Sequence, residues 1–150
     1  MLTRGNGLQC GFVMLNPSTA DALEDDPTVR KLIGFTRDWG YDSFFVANLY
    51  AYRTPYPDAL FYEGAGDIVG PDNDGYLHAA ATLPLVVVAW GKRAQRERVD
   101  HALKILRAPG RPLWCLGVNY DGSPKHPLYV PYAQKLIEYG AVHPKVNNEA

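Results

Sequence analysis

Residues 85–90 read LVVVAW, an uninterrupted apolar run, and Gly91-Lys92-Arg93 follow it directly. Three further runs of the same kind lie at residues 8–15, 43–49 and 112–118. Each run is nearly continuous in apolar residues and does not alternate with polar ones, which is typical of parallel strands covered on both faces. The four runs therefore predict a parallel sheet buried between two layers.

The segments between these runs have the apolar spacing of helices. Helices are predicted at residues 28–39, 71–81, 93–106 and about 131–139. Asp26-Pro27 supplies a capping residue and a first-turn proline for the first helix, which stops at Gly40. The alternation of strands and helices predicts a single domain over residues 1–150, a three-layer α/β/α sandwich around a central, mainly parallel four-stranded sheet.

The composition fits a globular protein. The chain has 150 residues, of which 47% are hydrophobic, so disorder is excluded and a continuous core can form. The longest apolar run is too short to cross a bilayer, and no secretion signal precedes the first strand. Two isolated cysteines, Cys10 and Cys115, suit buried thiols in a reducing compartment. We therefore predict a cytoplasmic protein with no membrane association, no metal and no cofactor, and the sequence identifies no protein partner.

A formal net charge of -1 hides one basic segment. Residues 92–111 carry seven basic and two acidic side chains, whereas residues 1–91 carry five basic and eleven acidic ones. The segment is either an ordinary solvated helix face or a surface that follows phosphates. The overall charge argues against long, non-specific wrapping of nucleic acid.

Two asparagines end predicted strands. Ligand sites in open α/β sheets lie outside the carboxyl ends of the strands, and Asn16 and Asn48 occupy that position. A side-chain amide there offers a donor and an acceptor to a planar, amide-like ligand such as a nucleobase edge. Asn16, which precedes Pro17, suits an Asx turn equally well.

Histidine and basic residues follow the later strands at the same edge. His126 lies in a proline-punctuated loop, where it is either a surface histidine or a donor to an oxygen that gains charge. Gly91 directly follows the apolar run at residues 85–90. The backbone N–H groups after it, together with Lys92 or Arg93, could hold a phosphate.

Taken in chain order, these pieces resemble motifs of the uracil-DNA glycosylase superfamily. Residues 11–18 (GFVMLNPS) are similar to the G-x-N-P-G motif of its mismatch-specific branch, and residues 45–48 (FVAN) to the strand whose Asn recognises the pyrimidine edge. Residues 86–95 (VVVAWGKRAQ) resemble the strand followed by W-G and A-Q, and residues 125–128 (KHPL) the H-P-S-P-L loop.

Over nearly its full length the chain also resembles the DUF1643 family of bacterial and phage proteins. This resemblance is specific, and it is carried by residues 15–21 (LNPSTAD), 25–28 (DDPT), 39–41 (WGY), 69–74 (VGPDND) and 126–129 (HPLY).

The glycosylase resemblance implies a uracil-DNA glycosylase-like fold and excision of a flipped pyrimidine, either unmodified or modified, from DNA. Asn16 would orient the attacking water, and His126 would donate to the pyrimidine oxygen that becomes negative. Asp21 is a further candidate acid or base, with metal binding or helix capping as alternatives for it and its neighbours Asp25 and Asp26. Base-binding candidates are Asn48, Tyr50, Tyr52 and Tyr129; candidates for DNA or phosphate contact are Ser18, Gly91, Lys92, Arg93, Lys125 and Leu128.

Three departures from the glycosylase pattern keep other functions open. Strand one carries no Asp where the most active glycosylases do, and the loop after His126 lacks the Ser-Pro spacer before Leu128. Strand one also begins close to Met1, whereas relatives usually carry more sequence upstream, which fits a shortened N-terminus. The alternatives are a non-catalytic module that binds nucleobases and an enzyme that acts on free nucleosides or nucleotides. The predicted partner is therefore DNA or a nucleotide.

Overall fold

The computed structural model describes residues 7–17, 26–52, 61 and 67–140. Within them lie five strands, three helices and one short 3₁₀ turn at Pro127–Tyr129. The strands are β1 (Gln9–Met14), β2 (Ser43–Asn48), β3 (Leu85–Val88), β4 (Trp114–Cys115) and β5 (Ile137–Glu138). The helices are α1 (Pro27–Asp38), α2 (Asn73–Ala81) and α3 (Arg96–Arg107). The fold is therefore mixed α/β, as the sequence predicted.

The strands form one sheet in the order β2-β1-β3-β4-β5. β1 is an interior strand that pairs in parallel with β2 on one side and with β3 on the other. β3 and β4 are also parallel, and β5 is antiparallel to β4. The chain thus moves outward from β1 to β2 and then returns to the other side of β1. The point where the direction reverses lies between β1 and β3, where crevices form at the carboxyl ends of the strands.

Local chemistry fixes α1. The Asp26 carboxylate accepts a hydrogen bond from Thr28 N at 2.7 Å, and Pro27 occupies the first turn. Leu32 and Phe35 form its buried face. Helix capping, one of the alternatives for Asp26, is thereby confirmed.

Helices cover both faces of the sheet. Side chains alternate along each strand, so Val13 faces α2 and α3 while Phe12 faces α1. Both side chains are fully buried, and burial of one such side chain contributes about 1.5–3 kcal/mol. This two-sided burial explains why the strands are continuously apolar.

The prediction of a four-stranded sheet followed by a helix at residues 131–139 is wrong. Ile137–Glu138 instead extends the sheet as β5 beside Trp114–Cys115, and Tyr139 N donates to Leu113 O at 2.8 Å. Without β5, the backbone groups on that side of β4 would lack this partner. Hydrogen bonding to the open side of β4 therefore determines the structure of this segment, although its apolar residues have helical spacing.

Both cysteines are free and fully buried. Burial raises the pKa of each thiol, and Cys10 Sγ lies 3.6 Å from Thr36 Oγ1. Of the three helices in the described part of the chain, none is long and apolar enough to cross a membrane.

Candidate functional site

A cavity of about 350 Å³ opens at the carboxyl ends of β3 and β4. This edge is where α/β sheets bind ligands, and the volume falls in the usual range for ligand sites, about 300–1,000 Å³. The cavity is lined by Gly91, Lys92, Leu116, Asn119, Lys125, His126, Tyr129, Val130, Pro131 and Gln134. The structure thus brings five of the predicted site residues together: Gly91, Lys92, Lys125, His126 and Tyr129.

The imidazole of His126 is held by the turn that follows it. His126 caps the 3₁₀ turn, and its Nδ1 accepts a hydrogen bond from Leu128 N at 3.2 Å. A nitrogen that accepts carries no proton, so the ring proton of the neutral side chain lies on Nε2. His126 therefore has a hydrogen-bond donor at Nε2, and Leu128 contributes to the site through its backbone.

The electrostatic surroundings favour the neutral form of His126. Part of the residue is exposed, yet enough protein surrounds the ring to remove some of its hydration. This desolvation lowers the pKa of His126, and the carboxylate of Asp26 opposes the shift. The side chain accordingly stays neutral at lower pH than an ordinary histidine.

Two lysines give the cavity a positive rim. Lys92 and Lys125 line it and are exposed, and Gly91 between strand and loop adopts a φ of 81°. The Gly91 N–H donates to Pro124 O at 2.9 Å, so it is already engaged. Any anion at this rim would therefore be held by the lysine ammonium groups.

The predicted helix start at Arg93 is wrong. α3 begins at Arg96, and the exposed Arg93 lies in the irregular segment before it. Arg93 consequently does not stand in the first turn of a helix, where N–H groups could hold a phosphate beside it.

Asn16 and Tyr52 connect the loops that follow β1 and β2. Asn16 Nδ2 donates to Tyr52 O at 3.0 Å and to Pro17 O at 3.2 Å. Tyr52 is exposed, so its ring remains accessible next to this connection. The contact gives Asn16 a structural role and commits its amide nitrogen.

Tyr50 belongs to the core. Only 1% of the residue is exposed, and its ring packs edge-on against Phe61. Its hydroxyl oxygen accepts a hydrogen bond from Gln95 N at 3.0 Å, just before α3. Burial raises the pKa of Tyr50. A base could not stack on this ring in the structure as it stands.

The end of β2 is held by two buried polar side chains, which we call the β2 clamp: Asn73 and Arg98. Asn73 Nδ2 donates to Asn48 O at 2.7 Å and to Leu49 O at 3.0 Å, and Arg98 Nε donates to Leu49 O at 2.7 Å. The two residues are 5% and 8% exposed. The clamp fixes the backbone of the asparagine predicted to recognise a base, and sequence reasoning missed it.

The carboxylate of Asp74 also binds the guanidinium of Arg98. Arg98 Nη1 donates to Asp74 Oδ1 at 2.9 Å, and His101 Nε2 lies 2.8 Å from Asp74 Oδ2. The hydrogen bonds from His101 and from Arg98 hold the pKa of Asp74 below its ordinary value. Nη2 of Arg98 is buried without a hydrogen-bond partner in the described structure.

Asn48 and His126 lie in different parts of the carboxyl edge of the sheet. Asn48 ends β2, whereas His126 lies beside Gly91 at the end of β3, where a Cβ on Gly91 would meet His126 Cβ at 3.7 Å. Two strand spacings separate β2 from β3, about 10 Å. Asn16 and Asn48 do not line the described cavity, and Ser18 and Asp21 lie outside the described residues.

A family model described as "Protein of unknown function (DUF1643)" matches residues 2–128. The chain belongs to the DUF1643 family. No curated protein and no solved structure matches it. The DUF1643 match includes β1 to β4 and ends within the Pro127–Tyr129 turn, so it contains His126, whereas β5 lies beyond it.

In this DUF1643 chain the described residues include no group of three or more His, Cys, Asp or Glu side chains that could hold a metal ion. The groups that could contact a ligand in the cavity include the imidazole of His126, the two lysines, the side-chain amides of Asn119 and Gln134 and the exposed ring of Tyr129.

Proposed function

We propose that this DUF1643 protein is a glycosylase-type enzyme. It binds a flipped pyrimidine of DNA at the carboxyl edge of the sheet and hydrolyses its N-glycosidic bond. The observation that carries the proposal is the fixed imidazole of His126, whose Nδ1 accepts from Leu128 N and leaves Nε2–H to donate in the cavity. The ordered motifs along the chain support the same activity.

In the proposed reaction the bond between the sugar C1′ and the pyrimidine N1 breaks, and its electron pair leaves with the base. Negative charge then develops on the pyrimidine oxygen, while the sugar becomes cationic. The Nε2–H of His126 donates to that oxygen and stabilises the departing base. Water adds to C1′ and releases one proton to solvent, and the base anion takes up one proton from solvent, so the products are the sugar hydroxyl and the neutral base.

A neutral histidine suits this role. A protonated ring could not accept from Leu128 N at Nδ1. The lowered pKa keeps the neutral form populated, so the hydrogen bond that orients the ring persists through the reaction. The imidazole acts as a preorganised donor and does not need to transfer its proton.

The remaining parts of the proposed site are assigned from their position at the sheet edge. Lys92 and Lys125 bind phosphate oxygens at the rim, and Asn48 recognises the base edge from the end of β2. The β2 clamp holds the Asn48 backbone in place.

A second candidate function is base recognition without hydrolysis. Two observations favour it: no carboxylate is present among the described residues that line the cavity, and the Asn16 amide nitrogen is engaged by Tyr52 O and Pro17 O. A cationic sugar would then receive little stabilisation from the site. This candidate predicts saturable binding without an abasic product.

The test is incubation with single- and double-stranded DNA that carries uracil, mismatched thymine or a 5-substituted pyrimidine, followed by alkali cleavage. The wild type is compared with His126→Ala, and with His78→Ala as the matched control because His78 is an exposed histidine on α2. Free pyrimidine nucleosides are assayed in parallel for base release. Loss of one positioned donor should slow cleavage about 10²–10³-fold.

Scission that His126→Ala removes and His78→Ala retains supports the glycosylase. Binding to DNA without scission of any substrate would support the base-recognising module. Base release from free nucleosides, without scission of DNA, would support an enzyme that acts on free nucleosides. Equal scission by His126→Ala would refute the role of the imidazole.

A further inference from the structure

Two tyrosine side chains next to the cavity are displayed to solvent. Tyr120 is fully exposed and Tyr129 is 91% exposed, while the cavity between their loops is lined by Asn119 and Tyr129. An exposed aromatic ring gains nothing from burial in the folded protein. Their position beside a candidate base site leaves both ring faces available for stacking against a ligand.

The backbone that carries Tyr120 is well fixed. Asn119 N donates to Ser123 O at 2.7 Å, Gly122 N donates to Asn119 O at 2.9 Å, and Asn119 Nδ2 donates to Ser123 Oγ at 3.0 Å. Ser123 N also donates to Asp121 Oδ1 at 3.0 Å. The turn thus presents the Tyr120 ring from a rigid support, so ordering the turn costs little when a ligand binds.

Tyr129 is supported in the same way. It ends the 3₁₀ turn that His126 caps, and the next residue, Val130, is buried and donates its N–H to Pro127 O at 3.1 Å. The ring projects from a turn whose two ends are anchored. Any base stacked on Tyr129 would lie next to the base that His126 contacts.

Charge around the cavity selects the kind of partner. Lys92 and Lys125 line the cavity, and Asp121 is an acid in the neighbouring turn. Hydrogen bonds from Ser123 lower the pKa of Asp121, and the positive charge of Lys92 contributes to the shift. Aromatic rings combined with a positive rim are typical of sites for single-stranded nucleic acid. The described residues that line the cavity include two lysines, so these side chains can contact few phosphates.

We propose that Tyr120 and Tyr129, with Lys92 and Lys125, form a stacking rim that binds single-stranded DNA. The unpaired bases next to the one held in the cavity lie on the two tyrosine rings. This inference rests on the proposed function, and it specifies the substrate as unpaired DNA. In a duplex the base faces are covered by their neighbours and cannot stack on a side chain.

Binding is measured by fluorescence anisotropy of labelled oligothymidylate of about 12 nucleotides. The comparison probes are a blunt hairpin duplex, oligouridylate and thymidine monophosphate. Tyr120→Ala and Tyr129→Ala are compared with Tyr120→Phe and Tyr129→Phe, which keep the ring. Tyr76→Ala is the matched control because Tyr76 is an exposed tyrosine on α2.

We expect each alanine variant at the rim to weaken oligothymidylate binding about 5- to 150-fold, from the measured range for loss of one stacked base. The phenylalanine variants and Tyr76→Ala should bind within about twofold of the wild type. Two phosphate contacts predict a slope of about -1.4 for log affinity against log salt. Because both rim tyrosines are exposed, the variants should keep the wild-type melting temperature.

Duplex bound as tightly as oligothymidylate, or alanine variants that bind like the wild type, would overturn the stacking rim. Tighter binding of oligouridylate would overturn its assignment to DNA. Tyrosine-dependent binding without scission keeps the rim and rejects the proposed reaction. Scission in a duplex that is insensitive to both tyrosines keeps the reaction and rejects the rim.

Discussion

Replacement of Asn73 by Ala removes half of the β2 clamp. Its Nδ2 donates at 2.7 Å to Asn48 O and at 3.0 Å to Leu49 O, and the residue is 5% exposed. Leu49 O keeps the bond from Arg98 Nε, so the loss there is about 1 kcal/mol, whereas Asn48 O loses this donor at a cost of about 1–2 kcal/mol. We expect the free energy of unfolding to fall by about 2–3 kcal/mol, and the melting temperature by about 5–10 °C.

Urea unfolding followed by circular dichroism measures the loss, with Asp72→Ala as the matched control. Asp72 immediately precedes Asn73 in the chain and is exposed. Its side chain makes no capping hydrogen bond to the N-terminus of α2. Its replacement should change the free energy of unfolding by less than about 0.5 kcal/mol. If Asn73→Ala unfolds at the same urea concentration as Asp72→Ala, the clamp does not hold the end of β2 and the reasoning is refuted.

Three further predictions follow from the site. Arg98→Met should lower the free energy of unfolding by about 1–3 kcal/mol, because it removes the hydrogen bonds to Leu49 O and Asp74 Oδ1 together with the buried Nη2 that lacks a described partner. An unchanged free energy of unfolding in the urea titration would contradict this. The folded-state pKa of His126 lies below its unfolded value of about 6.5. Above that pH the side chain is neutral in both states and the free energy of unfolding is not reduced by its titration. As the pH falls from about 6.5 toward the lowered pKa, the unfolded state binds the proton first, so the free energy of unfolding decreases. The acid limb of the pH–rate profile should therefore lie below about 6.5, and a limb at or above it would argue against a desolvated ring. Gly91→Ala should destabilise the protein by about 1–2 kcal/mol because φ is 81°, whereas Gly75→Ala, in an open position on α2, should stabilise it by about 0.5–1 kcal/mol in the same urea titration.

Much of the fold could be predicted because its residues follow simple rules. Continuous apolar runs indicated the four parallel strands, and Asp26-Pro27 indicated where α1 begins. The strand at Ile137–Glu138 could not be predicted in this way. It depends on the open side of β4, a long-range partner that local spacing does not reveal.

Five of the residues predicted for the site line the described cavity, and their functional roles stay predictions. The carboxyl edge, His126 and the lysines followed from strand ends and loop chemistry, whereas burial of Tyr50 depends on packing against Phe61. The basic segment at residues 92–111 was interpreted as a solvated helix face or a surface that follows phosphates, and buried Arg98 fits neither interpretation. Its spacing of four and seven residues from Ala102 and Ile105, which are buried, could have placed it on the inner face.

The two buried thiols have a practical consequence. Maleimides and oxidants react with the thiolate, and burial both raises the pKa of Cys10 and Cys115 and blocks access to their sulfur atoms. The folded protein should therefore not react with thiol reagents. A single surface cysteine introduced by Tyr76→Cys would accept one dye on an otherwise unmodified protein, without first deleting the natural cysteines.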